Sequence, residues 1–485
     1  MRIKSIRAVT GIVLLMAATV MAGVSTAWSQ GATSYTPGGD VRAYTNATVL
    51  QWLQKYADAK PAFKPGDVLT AKDLEQMRPF VPPGYLEQLN FPEFRMKIIA
   101  PVDRTPRKDY TECSEKYAGQ VRLKPDGTLD NYVCGRPFAV SELKPGDPLA
   151  GMKAAWDFEY RWQNYGVMGF NLIWIWNRPG GTHESTAPKS IEFPPSAWLD
   201  PTPFNITAPS INPASYYGGG GSFQRSLGAM HQRVYFSHLA PLSNRGGVLP
   251  IPGAEDFEFK EYTGFFSPFD ISGTVFIIYR YNDPYRSDDA WAYLPTIRRV
   301  RRISAEVRSD SLLGTDITLD DFYSFAGREV EWNFKFLGWK DVIDLNVSHD
   351  IAHFYGPNGT IPDDTWVMRR QLVVERTPKL PRYPYSSVIM FWDPEDFQCS
   401  YTLIFDPATK LWKTFLVGWK WSEDSKDYPQ INRGVRARAF QQTVFTDLQN
   451  GRATILSGTG FGYPDADPQH VAELYDVNKL EEIHR

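Results

Sequence analysis

A surplus of charge of either sign is missing from this chain. Its 485 residues hold 55 acidic and 52 basic side chains, a formal net charge of −3, so no global field draws it to a polyanion. No Gly-x-Ser-x-Gly elbow occurs, which weakens a serine hydrolase reading. Phosphate cradles are missing too. Gly218–Gly221 runs into Ser222-Phe223-Gln224-Arg225, where a P-loop needs Gly-Lys-Ser, and Gly458-Thr459-Gly460-Phe461-Gly462 has no dinucleotide-binding helix after it. Beyond the N-terminus no stretch reaches the ~18 apolar residues of a spanning helix. Cysteine is scarce, with three in all: Cys113, Cys134 and Cys399.

The N-terminus reads as an address. Arg2, Lys4 and Arg7 precede the apolar run Ala8–Val24, and small residues follow, with cleavage after Ala27 or Ser29. That pattern is a signal peptide over residues 1–29; a permanent anchor is the alternative. No cysteine stands near the cleavage site, so an acylated lipoprotein is not expected. In an oxidising periplasm Cys113 and Cys134 are a natural pair closing a short loop, the alternative being three buried thiols. Cys399 lies in an apolar strand pattern and reads as core.

Aromatics make up 14% of the chain, and glycine and proline number 37 each, a combination of strand formers and turn formers that points to a mainly β protein. Short helices are expected over Ala47–Asp58, from Thr70, where Asp73 completes a variant capping box, and over Tyr85–Leu89. Asp126-Gly127-Thr128-Leu129 predicts a hairpin turn. Asp157–Asn177 is rich in Trp, Tyr and Phe and reads as strand. Residues 180–228, with many Pro, Ser and Gly, read as a flexible insertion. Strands then recur: Arg233–Leu239, Phe257–Phe266, Gly273–Tyr281, Ala292–Ile303, Glu331–Leu337, Val342–Ser348, Trp366–Glu375, Ser387–Trp392, Ser400–Phe405, Leu411–Trp419, Phe440–Phe445 and Ala453–Gly458. Such a meander is one large sheet, curled or closed. The expected organisation is a signal peptide (1–29), a helical and irregular segment (30–155) and one β domain (156–485).

Four features stand in order between Asp270 and Gly338: Tyr293-Leu294-Pro295, the arginine run at 298–302, Gly314-Thr315-Asp316, and Asp320-Asp321. Gly135-Arg136-Pro137-Phe138, Gly146-Asp147-Pro148 and Lys153–Trp156 come earlier. Together they resemble a bacterial family of unknown function known as outer membrane lipoprotein-sorting proteins, akin to LolA-like carriers. The resemblance implies an unclosed, LolA-like β-barrel with helices as a lid, and a carrier without cofactor or bond-making. A hydrophobic small molecule or lipid is the implied partner. An inner-membrane transporter and an outer-membrane protein would stand at either end of its path.

Each chemical motif has a plainer counterpart. His349 and His353 have zinc-ligand spacing, but the segment follows a strand and meets Gly356-Pro357-Asn358-Gly359, so two helical turns have no room. A metal-dependent hydrolase using this pair is the enzymatic alternative. Of the arginines, Arg299 and Arg301 share one strand face and could meet a head group; a cross-strand ladder with Asp316, Asp320, Asp321, Glu329 and Glu331 is the structural alternative. Val275–Tyr281 is apolar on both faces, so it needs two covers. A bound apolar ligand under the N-terminal helices is one way to supply the second. The expected ligand positions are Phe276, Tyr279, Trp332, Phe334, Phe391 and Trp412, with Arg299 and Arg301 for a polar head. No catalytic residue, metal ligand, cofactor or nucleic acid is assigned. A third reading is a structural or interaction protein of the envelope.

Overall fold

The structure, a computed structural model, describes residues 43–161, 167–178, 222–303, 308–349, 352–421, 438–463 and 475–480, with 423 and 436. The expected signal peptide and residues 180–221 of the expected insertion lie outside the described residues.

The N-terminal segment holds α1 (Asn46–Lys55), β1 (Val68–Thr70), α2 (Leu74–Met77), β2 (Arg95–Ile99), α3 (Lys108–Lys116), the small hairpin β3 (Arg122–Leu123) and β4 (Leu129–Asp130), and α4 (Ala150–Glu159). Thr70 and Asp73 cap the turn that leads into α2: the Asp73 carboxylate accepts from the Thr70 backbone N–H at 2.8 Å, and the Thr70 hydroxyl accepts from the Lys72 N–H. The pairing read from the sequence is therefore present.

The remaining strands form the body. They are β5 (Val167–Arg178), β6 (Ser222–Tyr235), β7 (Phe257–Ser267), β8 (Val275–Tyr281), β9 (Asp289–Leu294), β10 (Arg299–Ile303) and β11 (Trp332–Asn346). After the short hairpin β12 (Phe354–Tyr355) and β13 (Ile361–Pro362) come β14 (Thr365–Pro378), β15 (Ser387–Trp392), β16 (Cys399–Phe405), β17 (Leu411–Trp421), β18 (Arg438–Asp447) and β19 (Arg452–Tyr463). One 15-stranded sheet runs β1-β2-β14-β15-β16-β17-β18-β19-β5-β6-β7-β8-β9-β10, with β11 on the other edge of β14. Every pairing in it is antiparallel except that of β2 with β14.

The sheet curls but does not close. Four strand spacings separate β17 from β6, about 19 Å in a flat sheet. Yet Tyr323 has its ring 6.2 Å from that of Trp419 on β17 and 5.5 Å from the Arg233 guanidinium on β6. One side chain can reach both only across a concave face. Among the described residues β10 pairs only with β9, and β11 only with β14, so both edges stay open.

Two layers cover the curled sheet at its β11–β17 end. Outside, Val49 and Trp52 of α1, Phe80, Leu86 and Leu89 pack on Val373, Phe391, Leu403 and Leu416. Inside, α4 packs on Trp332, Phe334, Val374, Met390 and Trp392. Gly151 lets the helix approach this closely, since a Cβ there would stand 2.3 Å from the Phe334 carbonyl oxygen.

Several boundaries differ from those expected. The stretch Asp157–Asn177 begins as the end of α4, and strand starts only at Val167. Ser222–Gly228, expected in the insertion, opens β6. Ala292–Ile303 is two strands, because Pro295–Arg298 turns the chain and Arg298 takes a left-handed φ of 50°. The strands expected at Glu331–Leu337 and Val342–Ser348 are one, joined through a bulge at Gly338, whose φ of 124° suits glycine. The Asp126-Gly127 turn is present, with Gly127 at φ 87°.

Candidate functional site

Residues 308–331, between β10 and β11, cross the concave face as a strap. The acidic motif residues are its fasteners. The Asp316 carboxylate accepts from Arg452 (2.6 and 2.8 Å) and from the Thr454 hydroxyl (2.8 Å), and the Asp316 carbonyl accepts from Lys413 at 2.8 Å. Asp320 accepts from Arg308 (2.7 Å) and Tyr383 (2.9 Å), and Asp321 from the Tyr385 hydroxyl at 2.8 Å. Ser324 and Thr402 join their hydroxyls at 2.7 Å. The expected ladder between these acids and the arginine run does not form. Of that run, Arg302 alone has an ion-pair partner among the described residues, Asp289 on the neighbouring strand. Register explains this: β10 pairs with β9, not with the strap.

Between strap and sheet lies a cavity of about 200 Å³. Its apolar wall comes from Leu172 and Trp174 on β5, Phe265 on β7, and Phe276 and Ile278 on β8, with Leu312 and Phe322 of the strap above. Strand alternation aims these side chains inward. Thr263 is opposite Phe276, and Phe276 opposite Ala292, so one row crosses three strands. The other parity of β8, Val275 and Ile277, is buried on the outer side, in the cluster that includes Tyr475 and Leu480. The strand apolar on both faces thus has two covers, and the strap rather than the N-terminal helices roofs the cavity.

The floor of the cavity is ionic. Arg233 pairs with Glu261, donating from Nε at 2.6 Å, and lies 3.9 Å over the Phe259 ring. Arg280 donates to Asp288 (2.9 Å) and Glu159 (3.2 Å); Arg308 donates to Asp288 (2.6 Å) and Asp320 (2.7 Å). Each of these guanidinium groups is engaged by acids or carbonyls of the protein itself. Burial would raise the carboxyls, but the arginines outweigh it and hold Glu261, Asp288 and Asp320 below the usual carboxylate range. His231 donates to or accepts from the Thr263 hydroxyl at 2.9 Å, and burial pushes its pKa down to about 4 against the pull of Glu261. The imidazole is therefore neutral at neutral pH. Burial and the neighbouring Glu159 push Glu258 well above its ordinary value, and burial does the same to Glu329. No uncompensated charge is left facing the cavity from its floor.

The eight expected ligand positions fall in different places. Phe276 lines the cavity. Tyr279 lies on the outer face of β8, its hydroxyl donating to the Tyr475 carbonyl. Trp332 and Phe334 are inside but at the far end, within 6 Å of the Phe325 ring and beneath α4. Phe391 is outside, edge-on to Trp52 at 6.4 Å. Trp412 donates to Asp447 at 3.1 Å. Arg299 and Arg301 are exposed on the edge strand, with the parity of Phe276. The residues not foreseen are the ionic floor and the strap. The available signal was Arg280, a charged residue in phase with Phe276 and Ile278 in an otherwise apolar strand.

Cys113 and Cys134 are joined as a disulfide, and Cys399 is a buried free thiol. The rings of His349 and His353 stand 5.7 Å apart. Among the described residues no three His, Cys, Asp or Glu side chains are grouped to hold a metal ion.

A family model described as protein of unknown function (DUF1329) matches residues 68–217 and 221–472, most of the chain. The chain belongs to the DUF1329 family. Among solved structures, this DUF1329 chain is similar to one described as an outer membrane lipoprotein-sorting protein domain from Vibrio parahaemolyticus. The two are 15% identical, covering 69% of this chain and 100% of that one, with a TM-score of 0.41. A DUF1329 family protein from Desulfovibrio piger is also 15% identical, covering 69% and 99%, with a TM-score of 0.41. A LolA superfamily protein from Nitrosomonas europaea is 11% identical, covering 62% and 87%, with a TM-score of 0.31. No curated protein matches. The large, curled and unclosed antiparallel sheet with short N-terminal helices expected of this DUF1329 protein is the fold observed.

Proposed function

We propose that this DUF1329 chain is a non-enzymatic periplasmic carrier or receptor. It holds one hydrophobic molecule, or the hydrophobic part of a lipid or lipoprotein, for transport or sorting in the envelope. The observation that carries this reading is the strap-covered cavity, whose wall is apolar and whose floor charges are all engaged with one another. Such a pocket gains from apolar burial, about 0.8 kcal/mol per CH₂, while its floor charges are already taken up by one another. The export-type N-terminus and the Cys113–Cys134 disulfide support a periplasmic setting. Relatives described as lipoprotein-sorting or LolA superfamily proteins point the same way.

Size narrows the cargo. An apolar cavity of about 150 Å³ admits benzene, so about 200 Å³ takes a ring system or a short chain segment, not a whole diacyl lipid. The engaged floor favours an uncharged portion over a carboxylate or phosphate.

The test is displacement of N-phenyl-1-naphthylamine, a neutral fluorescent hydrophobe, from the purified chain. Dodecanol should compete better than dodecanoate. Ala290→Trp, which fills the wall, should weaken probe binding more than tenfold while the melting temperature holds. A wild-type chain that takes up neither probe nor competitor would sink the carrier reading.

A further inference from the structure

We propose that the tips of the β7–β8 and β9–β10 hairpins dock this protein on an anionic lipid bilayer. Phe269 and Ile297 would enter the interface, and Arg298, Arg299 and Arg301 would meet the lipid phosphates. This goes beyond the carrier reading and stands on the surface alone.

The two turns lie side by side at one end of the barrel, where a Cβ on Gly273 would touch the Pro295 ring at 3.6 Å. Phe269 crowns the first with 97% of its surface exposed, and Ile297 the second with 47%. A phenylalanine this exposed contributes nothing to the folded core, and two large apolar side chains on adjacent tips mark a contact surface. The cations around them are uncompensated. Arg298, Arg299 and Arg301 are exposed and have no ion-pair partner among the described residues. The nearby acid, Asp270, is already paired with Arg225 at 2.8 Å. The tip therefore carries apolar points within a net positive collar.

A bilayer fits this pattern better than a protein partner. The apolar groups are separate points on turns rather than a groove or a flat face, and each can sink to the headgroup boundary on its own. Guanidinium groups match phosphate oxygens in a bidentate way. Cavity and tip are also in line. Arg301 stands opposite Ala292, and Ala292 opposite Phe276, which lines the cavity. Arg299 is two residues nearer the tip, about 7 Å along the strand. A docked tip brings the cavity wall to the membrane surface, so cargo passes between bilayer and cavity with little exposure to water.

The experiment is co-sedimentation of the mature full-length chain with sucrose-loaded vesicles. One set is phosphatidylcholine alone; the other holds a third phosphatidylglycerol. Binding should require phosphatidylglycerol and weaken as salt rises. Arg298→Gln, Arg299→Gln and Arg301→Gln combined should lower partitioning on the order of 100-fold. Phe269→Ala should lower it on the order of tenfold.

A fluorophore on Phe269→Cys gives a second readout, because the native cysteines are paired or buried. NBD there should brighten and shift blue only with anionic vesicles. Equal binding to both vesicle types, or partitioning unmoved by both sets of variants, overturns the proposal. So does a label already blue without vesicles, which would mean that this chain or a second copy covers the tip; dilution separates those two. Probe displacement in solution is unaffected by any of these outcomes, so the carrier reading stands or falls separately.

Discussion

Asp316 and Arg452 stand 136 positions apart in sequence, and the guanidinium donates from two nitrogens to the one carboxylate, at 2.6 and 2.8 Å. With Lys413 on the Asp316 carbonyl, this clamps the middle of the strap to β19 and β17. Gly314-Thr315-Asp316 is thus a fastening point for the cavity roof.

Asp316→Ala should therefore loosen the roof. Removing one partner of a largely buried pair costs about 3 kcal/mol, measurable by urea unfolding. The same variant should release bound naphthylamine probe faster, because roof opening precedes exit. An unchanged off-rate alongside lower stability would mean that the strap is not the gate.

Position along the barrel separates structural aromatics from ligand-contacting ones. Phe334 is 7% exposed and packs between α4 and Phe325. Phe334→Ala should cost about 3–5 kcal/mol and leave probe affinity within about twofold, since the cavity is elsewhere. Thermal unfolding and probe titration check the two halves. A large affinity loss with normal stability would move the binding site to the β11 end.

Most strands were legible because each is a run of β-branched and aromatic residues bounded by turns, as in Ser387–Trp392 and Leu411–Trp421. The errors share a cause. Phe158 and Tyr160 resemble strand residues, yet Gly151 docks the segment before them as a helix on the Phe334 backbone. Asp320 and Asp321 looked like partners for the arginines just before them, but they bind Arg308, Tyr383 and Tyr385. Strand parity placed Arg299 and Arg301 on one face, and the register puts Phe276 on the same one. Which stretch of chain would roof that face depends on contacts over a hundred residues apart, and local periodicity does not encode them.

The disulfide closes a sequence separation of 21 residues. In the chain-entropy account a loop of that length is worth about 3 kcal/mol. Cys113→Ser with Cys134→Ser should lower the melting temperature, and reductant should do the same to the wild type only. If reductant acts equally on the double variant, the effect lies elsewhere.

Glu258 gives a pH prediction with a definite sign. Burial, then the negative charge of Glu159, raises its folded pKa well above 4.5, although Arg280 and Arg328 oppose the shift. The folded protein thus keeps a proton that the unfolded chain releases above about pH 4.5. Stability from this group is full below that value and is lost as pH rises toward the folded pKa, at about 1.4 kcal/mol per pH unit. His231 and His238 act in the opposite sense. Burial lowers both to about 4 from 6.5, so their contribution is lost as pH falls through that window. Glu258→Gln keeps a donor for Glu159 and removes the proton linkage. Relative to wild type it should gain stability steadily as pH rises from about 5, seen as a growing difference in urea midpoints. A difference that stays constant with pH would show that Glu258 is ionised in the folded barrel and that the pair with Glu159 holds no shared proton.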